Sequence, residues 1–129
     1  LQFSMEESND NIKKTILVAE DVESNFLLLK ALLGKTYNLL HAYNGSEAVE
    51  MFDNNQPDLI LMDVKMPVMD GLEATRIIRQ KSTEIPIIAL TAFAFDQDRI
   101  RVMEAGCNDF LTKPLSPPLL KETIIKYLK

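Results

Sequence analysis

The stretch LILMDVKMPVMDG, Leu59 to Gly71, limits the fold more than any other part of the chain. Its first four residues are all apolar, without the in-and-out alternation of a strand that has one face in water. It therefore reads as a strand buried on both faces, as a parallel sheet covered by helices requires. The run stops abruptly on a carboxylate, Asp63. An ionised aspartate at the end of a buried strand is costly to keep without a partner, a metal or a reaction.

The rest of the chain supplies the sheet around it. TILVAE, YNLLHAY, IPIIALT and DFLT are further short β-rich runs, IPIIALT entered through Pro86. Between them lie segments with helical spacing. ESNFLLLKALLG brings Phe26, Leu29 and Leu33 onto one face with Gly34 as a stop, and SEAVEMFDNN does the same with Ala48, Val49 and Phe52. GLEATRIIRQK and a helix around DRIRVMEAG, ending at Gly106, follow. In the last segment Ser116 can cap, Pro117 suits the first turn, and Leu120, Ile124 and Leu128 form a stripe. Strands alternating with helices predict an α/β fold with a parallel sheet covered on both faces.

No internal repeat and no second domain is visible. Leu1 to Lys14 (LQFSMEESNDNIKK) is polar, without helix or strand period, and reads as a linker or cloning remnant rather than a packed first helix. The domain is expected over 15–129. With Leu at position 1 and its first Met at Met5, the chain reads as a fragment or a cloned piece rather than a complete translation product.

Composition narrows the function. The 129 residues are 47% hydrophobic and 26% charged, enough for one globular core. A formal net charge of −5 argues against direct nucleic-acid binding, which needs a basic face to displace counterions. The single cysteine, Cys107, allows no internal disulfide and no Cys-rich zinc site, in keeping with a reducing cytosol. No apolar run approaches the roughly 20 residues of a membrane-spanning helix, and no stretch reads as a signal peptide. The expectation is a cytoplasmic domain with no membrane contact of its own.

The polar residues then fall into a pattern. Glu20 and Asp21 end the first strand, Asp63 the third and Thr91 the fourth, and Lys113 follows the fifth. In an open parallel sheet these ends share one edge, and ligands bind in the crevice outside the carboxyl ends of the strands. Any one of these residues alone would pass for a cap or a solvated loop residue; all of them at successive strand ends point to a site. Three converging carboxylates repel one another unless a cation sits among them, and hard oxygen ligands favour Mg²⁺. A compact lysine charge and a threonine hydroxyl suit the oxygens of a phosphoryl group. Asp63 is then the natural nucleophile, able to form an acyl phosphate that later hydrolyses.

"VAED", "LILMDVKMPVMDG", "ALTA" and "FLTKP" together resemble the receiver domain of two-component response regulators, over Thr15 to Lys129. The resemblance implies a flavodoxin-like (CheY-like) five-stranded parallel sheet in the order 2-1-3-4-5 with five helices on its two faces. It implies that Asp63 is the phospho-acceptor, taking a phosphoryl group from a phosphohistidine, so that the domain catalyses its own aspartyl phosphorylation and dephosphorylation. Asp21, Asp63 and the backbone carbonyl of Lys65 would coordinate Mg²⁺, with Glu20 acting directly or through water. Lys65 departs from the smaller residues of some members, which leaves this role intact because only its carbonyl is used. Lys113 would pair with a phosphoryl oxygen, the Lys113–Pro114 peptide would be cis, and the Ala92 amide would help cradle the phosphoryl group. Thr91 and Phe110 resemble a switch pair that remodels the face of the fourth helix, fifth strand and fifth helix. An ordinary core aromatic is the equally weighted reading of Phe110. Phe93 would restrict water entry and lengthen the acyl phosphate's life.

The forms "AEDVESN", "MPVMDGLEATR" and "EAGCNDFLTKPL" resemble receivers of hybrid sensor histidine kinases. That implies partners in a histidine kinase dimerisation and phosphotransfer domain and in a separate histidine phosphotransfer domain, and a place in the cytoplasmic part of a sensor kinase. A free-standing or docking-only receiver is the alternative. A flavodoxin-type FMN protein is disfavoured because DVESN is acidic where phosphate would bind. An aspartyl phosphatase is disfavoured because Lys65 stands where it needs a second acid. His41 has no second ligand at metal spacing and reads as structural or surface, and Cys107 as structural. Arg76, Arg79, Lys81, Arg99 and Arg101 read as a solvated face, some of which could meet an acidic partner.

Overall fold

The computed structural model describes residues 12–92 and 96–128. Five strands alternate with five helices: β1 Thr15–Ala19, α1 Glu23–Leu33, β2 Asn38–Ala42, α2 Gly45–Asn55, β3 Leu59–Asp63, α3 Gly71–Lys81, β4 Ile87–Thr91, α4 Asp96–Ala105, β5 Asp109–Thr112 and α5 Pro117–Leu128. All four strand pairings are parallel, and the order across the sheet is β2-β1-β3-β4-β5. Every residue of β3 and β4 is buried, as their unbroken apolar runs predict.

The period-2 geometry of the strands sorts the core into two layers. Leu17, Ala19, Ile60, Met62, Ile87 and Ala89 face α2, α3 and α4, from which Ala48, Ala74, Ile78 and Val102 reach inward. Ile16, Val18, Leu59, Leu61, Ile88 and Leu90 face α1 and α5, meeting Phe26, Leu29, Leu33, Leu120 and Ile124. The helical faces expected for α1 and α5 are the buried ones.

Local chemistry fixes the helix starts. The side chains of Asn44 and Asp70 accept hydrogen bonds from the Glu47 and Glu73 amides, both at 2.8 Å, satisfying donors that a helix start leaves open. Two glycines allow close approach behind Asp63. A Cβ on Gly71 would run into the carbonyl of Asp63 and one on Gly45 into that of Met69, so α3 and α2 can begin against the β3–α3 loop.

One boundary differs from expectation: β1 ends at Ala19, leaving Glu20 and Asp21 on the loop beyond it. Gly34 does stop α1, but in a right-handed conformation (φ −65°); positive φ is found instead at Gln56, after α2 (φ 47°), and at Gly106, after α4 (φ 114°).

Candidate functional site

The carboxyl ends of β1, β3, β4 and β5 converge on a cleft of about 270 Å³ that Glu20, Asp21, Asp63, Lys65, Thr91, Ala92 and Lys113 all line. Glu20 is 1% exposed and Asp63 5%, and one carboxylate oxygen from each of Glu20, Asp21 and Asp63 lies within 4.8 Å of the other two. The sheet register explains the convergence. Asp63 is level with Leu90 and Thr91 with Thr112, so the polar residues that close these runs, Asp63, Thr91 and Lys113, emerge one residue further along from strand to strand.

Lys113 answers this negative charge. Its ammonium lies 3.0 Å from Asp63 Oδ2 and 3.4 Å from Glu20 Oε1. Burial taken alone lowers the Lys113 pKa. The hydrogen bond and charge of Asp63, followed by Glu20, outweigh burial and raise it above the ordinary lysine value. The Lys113 amide donates to the Thr91 carbonyl at 2.8 Å, and the Lys113–Pro114 peptide is cis. The Lys65 amide approaches Asp63 Oδ1 at 3.4 Å.

Glu20 is held from several sides. Its amide donates to the Ala42 carbonyl at 2.9 Å, and its Oε2 accepts from the Val22 amide at 3.1 Å. Its own carbonyl lies 2.8 Å from His41 Nε2, which must be the donor because a carbonyl can only accept. The His41 ring stacks on Phe26 with centroids 3.8 Å apart, so this histidine packs and positions Glu20 from the next strand.

Other expectations meet mixed outcomes. Phe110 is half-buried on β5, packed against the α2–α4 side of the core, with the Arg99 guanidinium 5.0 Å from its ring centroid. Phe93 lies outside the described residues. Cys107 is buried and its thiol is pushed up by burial.

The solvated-face reading is corrected at Arg79. Its Nε donates to the Gly106 carbonyl at 2.8 Å, one terminal nitrogen to the Ser82 carbonyl at 3.1 Å and the other to Asn108 Oδ1 at 2.8 Å. It is a clasp between the α3–β4 and α4–β5 connections, because a guanidinium fork matches several fixed acceptors at once. Lys81 pairs with Asp53 at 2.6 Å. Arg101 and its ion-pair partner Asp98 line the cleft itself, which sequence reasoning missed. The signal was available: Asp98, Arg101, Val102 and Ala105 follow the i, i+3, i+4, i+7 rule of a single inward face.

A cleft with this donor set suits a divalent cation. The sequence model of the response regulator receiver domain matches residues 16–125. The chain belongs to this family. As a receiver domain it is a component of two-component signalling. It is 38% identical over 118 residues to the polar-differentiation response regulator DivK of Brucella anthropi, covering 89% of this chain and 96% of DivK. Among solved structures, a sensor histidine kinase receiver domain from Pseudomonas aeruginosa, with a magnesium ion coordinated in its active-site cleft, is 36% identical. It superposes with a TM-score of 0.84 over 91% of this chain and 98% of that one. The receiver domain of Saccharomyces cerevisiae Ssk1, crystallised with the histidine phosphotransfer protein Ypd1, is 32% identical with a TM-score of 0.85, covering 90% and 89%. The five-stranded 2-1-3-4-5 sheet of this receiver domain is the one the resemblance implies. Among its described residues, no helix is long and apolar enough to cross a membrane.

Proposed function

We propose that this receiver accepts a phosphoryl group on Asp63 from a phosphohistidine and passes the signal on, by relaying phosphate or by remodelling a docking face. The observation that carries this reading is the buried Asp63 carboxylate, 3.0 Å from the Lys113 ammonium and grouped with Glu20 and Asp21. The donor set fits Mg²⁺: Asp21, Asp63 and the Lys65 carbonyl would hold it, with Glu20 direct or through water. When bound, the ion neutralises charge on the phosphoryl oxygens.

The chain's own residues supply the rest. An Asp63 oxygen attacks phosphorus as the phosphorus–nitrogen bond to the donor imidazole breaks. The product is an acyl phosphate on Asp63 and a free histidine. Lys113, already poised between Asp63 and Glu20, stabilises a phosphoryl oxygen, and its raised pKa keeps it charged at neutral pH. The Thr91 hydroxyl and Ala92 amide serve the remaining oxygens. Thr91 and Phe110 form the switch toward the α4–β5–α5 face. Phe93 limits water entry; a phosphorylated half-life no longer than that of Phe93→Ala would contradict that part.

Residues 1–14 serve as a tether and 15–129 as the receiver, the latter within the cytoplasmic part of a hybrid histidine kinase. Its donor is then the kinase's own histidine and its acceptor a histidine phosphotransfer domain. The structural likeness to the Ssk1 receiver, crystallised with Ypd1, supports such a partner. Intact-mass spectrometry after incubation with acetyl phosphate tests the core of this reading. One phosphoryl adduct is expected on the wild type with Mg²⁺, and none on Asp63→Asn or without metal. A folded protein that takes no adduct under any condition would instead be a docking-only module.

A further inference from the structure

We infer that Arg101 is a second phosphoryl-binding cation, held in reserve by Asp98 and released to the phosphorylated aspartate. The inference rests on Asp63 being the acceptor. α4 turns one face inward: Val102 and Ala105 are buried in the core, and Asp98 and Arg101, one turn toward its N-terminus, line the same cleft as Asp63 and Lys113. Arg101 Nη2 lies 3.6 Å from Asp98 Oδ1, the Arg101 side chain is 63% exposed, and that of Asp98 is 23% exposed. A single contact of that length at an exposed site is weak and easily exchanged.

Charge gives the reason for exchange. Lys113 already divides its ammonium between Asp63 and Glu20. A phosphoryl group on Asp63 adds roughly one further negative charge and three acceptor oxygens inside the cleft. A planar guanidinium is the side chain best matched to two of those oxygens, and Arg101 hangs over the same space. Its move would leave Asp98 unpaired on α4, so that phosphorylation changes the charge pattern of the first turns of that helix. Arg101 is thereby a binding residue for the phosphoryl group as well as a reporter of it.

Beryllofluoride, a phosphoryl mimic that adds to aspartate in the presence of Mg²⁺, provides the probe, with binding followed by titration calorimetry. Arg101→Gln is expected to bind it about three- to tenfold more weakly than wild type, the discount from a fully buried contact reflecting exposure. Asp98→Asn, which removes the competitor, is expected to bind it more tightly. Mg²⁺ alone should respond in the opposite sense, since losing a cation from the cleft favours the metal and losing a carboxylate disfavours it. A merely disturbed fold would weaken both ligands together. Wild-type and Arg101→Gln affinities for beryllofluoride within twofold of each other would overturn the role of Arg101 and leave Asp63 as the acceptor. Failure of the wild type to bind the mimic at all would overturn both.

Discussion

The two edges of the sheet use the same kinds of side chain to opposite ends. At the edge where the strands begin, charges meet fixed partners: the Thr15 amide donates to Asp58 Oδ2 at 2.8 Å, and Lys81 pairs with Asp53. Asn108 Oδ1 there accepts from both Arg79 and the Ile87 amide at 2.8 Å. At the edge where the strands end, Glu20, Asp21 and Asp63 crowd together with Lys113 placed between two of them. One edge is satisfied by the fold alone. The other is left with surplus negative charge that a ligand can relieve, as functional sites often are.

The contrast is broken most directly at Arg79. Arg79→Ala removes three hydrogen bonds to the Gly106 and Ser82 carbonyls and to Asn108, and should cost about 2–4 kcal/mol in urea unfolding while leaving Mg²⁺ affinity unaltered. A cost below about 0.5 kcal/mol, the range of an ordinary surface change, would mean that the strand-starting edge is not held by this clasp.

At the other edge Lys113 is the test. Lys113→Met strands two buried carboxylates without their cation and should destabilise the metal-free protein by about 1–3 kcal/mol, less than a fully buried pair because the lysine is 29% exposed. Excess Mg²⁺ should then recover more stability in the variant than in wild type. The pH dependence has a definite sign. Because the folded pKa of Lys113 lies above the ordinary 10.5, its contribution is complete below pH 10.5 and is lost as pH rises through the folded value. Chemical denaturation across that alkaline range should show a falling slope in wild type that Lys113→Met lacks.

Asp63→Asn sharpens the comparison by reversing the sign. Removing one of three mutually repelling carboxylates should stabilise the metal-free protein by about 1 kcal/mol, a rise of about 4 °C in melting temperature for a domain of this size. Mg²⁺ should stabilise the variant less than it stabilises wild type. A lower melting temperature for metal-free Asp63→Asn would show that the Lys113 pair outweighs the crowding.

How far the sequence discloses these two edges follows from what each depends on. The strands were legible because both-face burial leaves LILM and IIAL without a polar residue. The cleft was legible because each run closes on a functional group and parallel pairing brings those ends together. Arg79 was not, since its partners are mostly backbone carbonyls from other connections, and a carbonyl has no letter in the sequence. Arg101 was read as solvated and Asp98 passed over for a related reason: the inward face they share with Val102 and Ala105 has helical spacing, but only those two of its four residues are apolar. His41 read as structural or surface, but its bond to the Glu20 carbonyl required the β1–β2 register.

Val68 tests whether the site edge also stores backbone strain. It has φ 68°, a conformation unfavourable for a β-branched residue, and the Met69 amide closes a three-residue turn around it by donating to the Pro67 carbonyl at 2.7 Å. The turn sits between two anchors: Met69 accepts from the Gly45 amide at 2.8 Å, and the Gly71 amide donates to Val64 at 2.9 Å. Those bonds hold the loop after Asp63 in place, and the conformation of Val68 follows from them. The residue is 84% exposed, so removing its side chain costs little packing. Glycine would relieve strain of about 1–3 kcal/mol against an unfolded-state entropy cost of about 0.5–1 kcal/mol, for a net gain of about 1 kcal/mol. Val68→Asn, which tolerates the left-handed region without the full entropy cost, should gain a similar amount, and Val68→Ile should gain nothing. Thermal melts of the three variants decide it: if glycine and asparagine both lower the melting temperature, the turn is unstrained and the exposed valine stabilises the fold by some other contact.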